Sequence, residues 1–193
     1  MTKYLHTPAN IVQNGDPILR QIAKPLLREE FGTKKLATII KQMSVAVEEC
    51  EDGVAIAAPQ IGIPLRIFIV SHRAFLVDED QKSTKKKTKA VRPVNLVCIN
   101  PEITKLSKKR IVVPEGCLSV RYMYGNTKRA DKATIRAYDE NGKLFTYGGS
   151  GIVAQIFQHE TDHLNGVLFI DHATDLEEIP PEKMSKQDGD QHS

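Results

Sequence analysis

Three cysteines are all that 193 residues hold. So sparse and odd a set cannot build a disulfide framework, and a reducing compartment is the simpler expectation. No run of eighteen apolar residues occurs, so no membrane-spanning helix is expected. The opening MTKYLHTPANIVQNGDP has neither an apolar signal core nor Arg/Ser-rich character and does not read as a secretory or organelle address. A strong charge of one sign is lacking too, with 27 basic side chains against 24 acidic ones. Five of the lysines crowd into Lys82–Lys89. Without them the acidic side chains outnumber the basic ones, so the basic bias is local. Composition does not make the whole chain a nucleic-acid binder, and no specific nucleic-acid sequence is expected as a partner. What remains, 40% hydrophobic and 26% charged, is the balance of one globular domain.

Patterning divides that domain. Asp16-Pro17 ahead of Ile18-Leu19 reads as an N-cap and a first-turn proline opening a short helix. Leu36, Ile39, Ile40, Met43, Val47 and Cys50 recur at helical spacing, with Gly53 as a stop. Arg66–Val70, Leu96–Ile99 and Arg110–Val113 read as strands. Lys132–Tyr138 and Lys143–Tyr147 flank Asn141-Gly142, a hairpin signal. Gly148, Gly149 and Gly151 predict a break before a helix that carries Ile152, Ile156, His159 and His163 on one stripe. Residues 78–92, rich in lysine, are expected to form a loop excursion, and residues 176–193 a polar tail after a domain spanning 1–175. Short strands with about three helices and no regular βαβ alternation predict an α+β fold, with short antiparallel sheets around the His-bearing helix.

The sharpest chemical signal is His159-Glu160-Thr161-Asp162-His163. Histidines four apart on a helix reach one ion together, and the glutamate beside them can handle protons from a water at that ion. A catalytic centre needs a third protein ligand and an open position. Cys117, in Pro114–Ser119 at a strand exit, is one candidate, with Gly116 allowing close backbone approach. Taken alone, a lone cysteine is more often a small buried hydrophobe than a ligand, and for Cys50 and Cys98 core packing is the better account. The segment from Gly53 to Gly62, GVAIAAPQIG, is small, apolar and uncharged. It reads either as a tightly packed turn or as an extended edge that pairs with a peptide, with Gln60 delivering an amide.

Together, GVAIAAPQ, EGCLS and QHETDHLNG resemble, in order, the three motifs of peptide deformylases. GDPILRQIAKPL and GVLFID extend the likeness from Ile11 to about Asp171. The resemblance implies Cys117, His159 and His163 as metal ligands with water in the fourth place, and Glu160 as general acid and base. Gln60 and the Leu118 backbone N–H would form the oxyanion hole. Gly53, Val54, Ala55 and Gly116 would hold the substrate backbone, and Ile152, Gln155 and Ile156 would line the pocket for its first side chain. The implied reaction removes the formyl group from the initiator methionine of nascent formyl-methionyl peptides in the cytoplasm, releasing formate. The implied metal is Fe(II), with zinc, nickel or cobalt accepted. A thiolate and two imidazoles suit any of these ions.

The chain departs from the pattern at three places. Ala55 replaces a motif glycine. Tyr124 stands where an arginine is common, with Arg121 nearby. Gln155 stands where an apolar residue lines the pocket, which predicts a weakened preference for formyl-methionine unless the amide turns away to backbone or water. Arg129 and Glu115 are spaced either to brace the cysteine loop or to form a plain surface ion pair. Two rival readings follow. A zinc endopeptidase would draw its third ligand from His172, Glu177 or Glu178. A non-catalytic binding protein could have descended from the enzyme. Lys82–Lys89 suggests either a ribosome-docking segment or a solvated loop.

Overall fold

The computed structural model describes residues 11–81 and 94–180. The chain opens with a 3-10 turn at Pro17–Arg20, where the Asp16 side chain accepts the Ile18 N–H at 2.9 Å. Helix α1 (Lys34–Glu49) is capped by Thr33, whose side chain accepts the Leu36 N–H. It buries Leu36, Ile39, Met43, Ala46 and Val47, spaced three and four apart. Cys50 is its C-cap residue and is packed into the same core. Strand β1 (Ala55–Ala57) follows, then a 3-10 turn at Ala58–Ile61 and strand β2 (Ile67–Val70).

The next element was not expected. Residues 78–81, assigned to the loop by their polarity, are the end of helix α2 (His72–Gln81). Ala74 and Phe75 pack into the core and Asn95 accepts the His72 N–H, so the first turn is anchored and the helix propagates into polar sequence. The rest of the expected excursion, including Lys82–Lys89, lies outside the described residues.

Strands β3 (Leu96–Leu106), β4 (Arg110–Cys117), β5 (Val120–Ala130), β6 (Lys132–Tyr138) and β7 (Leu144–Ser150) are joined by short turns. Gly148 and Gly149 do not break the chain: both lie within β7, paired opposite Thr134 and Ala133. The sites of pairing are backbone groups, which glycine supplies like any other residue. Helix α3 (Gly151–Leu164) starts at the next residue. The expected tail also begins later than residue 176. Strand β8 (Thr174–Glu178) pairs with β5, Glu177 opposite Tyr124 and Glu178 opposite Met123. All five of its side chains are exposed, so it is held through its backbone and leaves no hydrophobic signal.

Among the described residues two antiparallel sheets result, one of five strands in the order β1-β2-β3-β6-β7 and one of three in the order β4-β5-β8. Helix α3 lies between them. Val153, Ala154, Ile156, Phe157 and Leu164 pack with Ala57, Phe68 and Ile135 of the larger sheet, while Gln158 reaches the smaller one, bonding both the N–H and the carbonyl of Ala130. The fold is α+β with short antiparallel sheets around a central helix. Strand β1 is an edge of its sheet, and β4 ends beside α3. Those two positions create the site.

Candidate metal centre

One helical turn separates His159 from His163, and their ring centroids lie 4.9 Å apart. Cys117 ends β4 and brings its Sγ to 3.2 Å from His163 Nε2. One donor atom from each of the three lies within 4.8 Å of the others. No other such group of His, Cys, Asp or Glu occurs among the described residues. Cys50 and Cys98 are buried elsewhere, and burial pushes both thiols above their ordinary pKa. His172 lies 4.0 Å from Asp162 and outside the donor group, and Glu177 and Glu178 are exposed on β8. The third ligand that an endopeptidase would need is therefore not assembled from them.

The first imidazole is held by a buried carboxylate. Glu115 Oε1 accepts from His159 Nδ1 at 2.6 Å, leaving Nε2 for the donor group. Arg129 donates to both Glu115 oxygens, from Nη2 at 2.6 Å and from Nε at 3.0 Å, and its Nη1 reaches Asp162 at 2.6 Å. Thr127 adds a fifth bond to the cluster, donating to Glu115 Oε2. Burial alone would raise the Glu115 pKa, but the hydrogen bonds from His159 and Arg129 hold it far below the usual carboxylate range. Glu115 and Arg129 are only 5% and 6% exposed, so this pair is not a surface ion pair. The spacing had suggested Arg129 with Glu115 alone. Thr127, Asp162 and the His159 contact were missed, although Thr127 and Arg129 alternate on one face of β5 and Asp162 falls within the histidine motif.

Burial pushes His159 down, yet its bonds to Cys117 and Glu115 outweigh this and raise its pKa well above the ordinary value. For His163 burial is not offset, and together with the neighbouring His159 it lowers the pKa well below the ordinary value. Glu160 is 3% exposed and lines the cavity, its Oε2 without a hydrogen-bond partner among the described residues. Burial pushes its pKa up to about 7. An orphaned carboxylate beside two imidazoles and a thiol is the donor chemistry of a divalent ion with a nearby proton acceptor. These residues fit such an ion.

Gln60 is oriented from both ends of its amide. Oε1 accepts the Ala57 N–H at 2.8 Å, so Nε2 faces Ser119 Oγ at 3.2 Å and Cys117 Sγ at 3.5 Å. The Ser119 N–H points at the same sulfur at 3.4 Å. Ser119 was not singled out from the sequence, although it belongs to the EGCLS motif. Leu118 begins the two-residue turn between β4 and β5, so its N–H stands outside the strand ladder.

These residues surround a cavity of about 280 Å³. Gly53, Val54 and Ala55 at the β1 edge, Gly116 of β4, and Ile152, Gln155 and Ile156 of α3 all line it. Gly116 has a steric reason to lack a side chain, because a Cβ there would stand 2.7 Å from the Tyr124 ring. Arg121 lines the cavity beside Tyr124. It donates to Asp52 at 2.6 Å and to Cys50 Sγ at 3.2 Å. Gln155 keeps its place in the wall while turning its Nε2 to the Pro114 carbonyl at 2.9 Å.

Comparison with known proteins is consistent across sequence and structure. Residues 8–178 match the model of the polypeptide deformylase family. A peptide deformylase of Mesorhizobium japonicum is 38% identical over 161 residues, 83% of this chain and 81% of that protein. The crystal structure of a class I type b peptide deformylase from Acinetobacter baumannii, with Met-Ala-Ser bound, superposes with a TM-score of 0.71 at 30% identity, covering 89% of this chain and 99% of that one. A peptide deformylase from Thermotoga maritima gives 0.70 at 31% identity, covering 85% and 96%.

Proposed function

The chain belongs to the polypeptide deformylase family, and from that premise we propose that Cys117, His159 and His163 hold a divalent metal ion around which Glu160, Gln60 and Leu118 carry out the reaction. The activity is that of the family: hydrolysis of the N-formyl group of nascent formylated peptides. A divalent ion held by these three residues would supply a lowered pKa for water and polarisation of the formyl oxygen. The observation that carries the assignment is the convergence of one sulfur and two imidazoles within 4.8 Å, with Glu160 on the wall beside them.

The residues divide the work. Glu160 takes the proton of the attacking water and returns it to the leaving amine, a role suited to a buried carboxyl whose pKa lies near neutrality. Gln60 Nε2 and the Leu118 N–H stabilise the oxyanion as the formyl carbon becomes tetrahedral. Two such donors contribute on the order of 3 kcal/mol each when they are preorganised, and the Ala57 and Ser119 contacts preorganise Gln60. Glu115 fixes the His159 ring. The free edge of β1, continued by Gly53 and Val54, pairs with the substrate backbone, and Gly116 keeps the facing wall low. Ala55 leaves this pairing intact, because its backbone is already extended within β1.

Fe(II) is the metal of choice, and zinc, nickel and cobalt are alternatives that the same soft donor set accepts. The cytoplasm, where formylated chains emerge, is the compartment that suits the substrate and three unpaired thiols. The test is formate release from formyl-Met-Ala-Ser by the Fe(II)-loaded protein, compared with Glu160→Ala. The expected result is turnover that Glu160→Ala abolishes while metal content is kept. Turnover by the variant at the native rate refutes the role of Glu160.

A further inference from the structure

The cavity wall beside the metal donors is one face of α3. Ile152, Gln155, Ile156 and His159 fall three and four apart, and all line the cavity. On the deformylase reading, the formyl carbon sits against the donor group, and the first Cα of the peptide is two bonds away. The first side chain therefore enters within one turn of His159, where residues 155 and 156 stand. A methionine side chain meets the isoleucines there without penalty. It also meets an amide.

That amide is divided. Gln155 Nε2 donates to the Pro114 carbonyl at 2.9 Å and lies 3.5 Å from Glu115 Oε2. A carbonyl and a carboxylate only accept, so these neighbours decide which end of the amide is nitrogen. Oε1 receives no hydrogen bond from any described residue. Solvent satisfies such an oxygen in an open cavity. An apolar side chain that fills the cavity displaces the solvent and returns no hydrogen bond, whereas a side chain ending in an N–H does.

From this we infer that Gln155 is a specificity-determining residue. Its Oε1 shifts the enzyme toward formylated peptides whose first side chain has the length of methionine and ends in an N–H donor, glutamine being the matched case. The inference rests on the deformylase reading.

The experiment compares formyl-Gln-Ala-Ser with formyl-norleucyl-Ala-Ser and formyl-Met-Ala-Ser, using metal-loaded wild type, Gln155→Leu and Gln155→Met. The expected result is that the glutamine-to-norleucine ratio of kcat/KM falls roughly tenfold in both variants, the size of one unmade hydrogen bond. Calorimetric binding of the deformylated tripeptides Gln-Ala-Ser and norleucyl-Ala-Ser shows the same shift, independently of turnover. A ratio unchanged within about twofold in both variants overturns the inference. A wild-type enzyme that binds the tripeptides but releases no formate from any of the three substrates overturns the deformylase reading instead. The tripeptide affinities then decide the role of Gln155 alone.

Discussion

Five donors converge on the two oxygens of Glu115. Oε1 takes His159 Nδ1 and Arg129 Nη2, and Oε2 takes Arg129 Nε, Thr127 Oγ1 and the longer contact from Gln155. Glu115→Gln keeps the shape and removes the charge, and it leaves one oxygen where the site needs two. Whichever way the new amide turns, its NH2 faces donors. Breaking a buried ion pair by removing one partner costs about 3–5 kcal/mol. Arg129 retains Asp162, so the lower end of that range applies. For a domain of this size 1 kcal/mol is about 2–4 °C, so a melting temperature lowered by roughly 6–12 °C is expected. The His159 ring exchanges its carboxylate acceptor for at best a neutral amide oxygen, for which a metal affinity weaker by about 10–100-fold is expected. Calorimetric melting and competition for the metal against a chelator of known affinity measure the two effects separately. A variant that melts within about 2 °C of wild type and binds metal equally well would refute the argument that this carboxylate braces the centre.

Three further outcomes follow from the same geometry. Gln60→Ala removes one oxyanion donor and is expected to lower kcat by about 10²–10³-fold at unchanged metal content, measured by steady-state formate release. Gly116→Ala places a methyl 2.7 Å from the Tyr124 ring. A raised KM for formyl tripeptides is expected, and Tyr124→Ala in the same chain relieves it. Asp171 is held below the usual carboxylate range chiefly by the hydrogen bond from Arg20, against a smaller opposing effect of burial. A depressed native pKa stabilises the fold above the unfolded pKa, and the gain is lost as pH falls through the native one. Asp171→Asn should therefore lower the melting temperature near neutrality, and the difference should shrink as pH falls through the ordinary carboxylate range towards the depressed native pKa.

Much of this architecture was legible because its signals are local. Helix α1 announces itself through Leu36, Ile39, Met43 and Val47, and the β6–β7 hairpin through Asn141-Gly142, where Gly142 adopts a φ of 77°. The His159–His163 spacing is a property of any α-helix. Strand β5 was not legible. It is bent at Tyr122, which has a φ of 67°, and its face alternation is interrupted by residues spent on the cavity and on Glu115. Strand β8 was missed because its stability lies in backbone bonds to β5, which leave no pattern in side chains.

The same reasoning explains why the centre was half visible. The donors Cys117, His159 and His163 are chemically distinctive, so residue type alone nominated them. Their supports are ordinary residues whose meaning comes from pairing. Glu115 on β4 sits opposite Gly125 on β5, and Thr127 and Arg129 follow at the two-residue period that brings both onto its carboxylate. Arg129 then spans from β5 to Asp162 on α3 and ties the small sheet to the helix that carries both histidines. The distance from sulfur to imidazole is thus set by sheet register. A one-residue slip of β5 against β4 would turn Thr127 and Arg129 to the opposite face and leave Glu115 a buried, unpaired charge. The cost of that charge makes the register of the small sheet and the geometry of the metal donors a single structural specification.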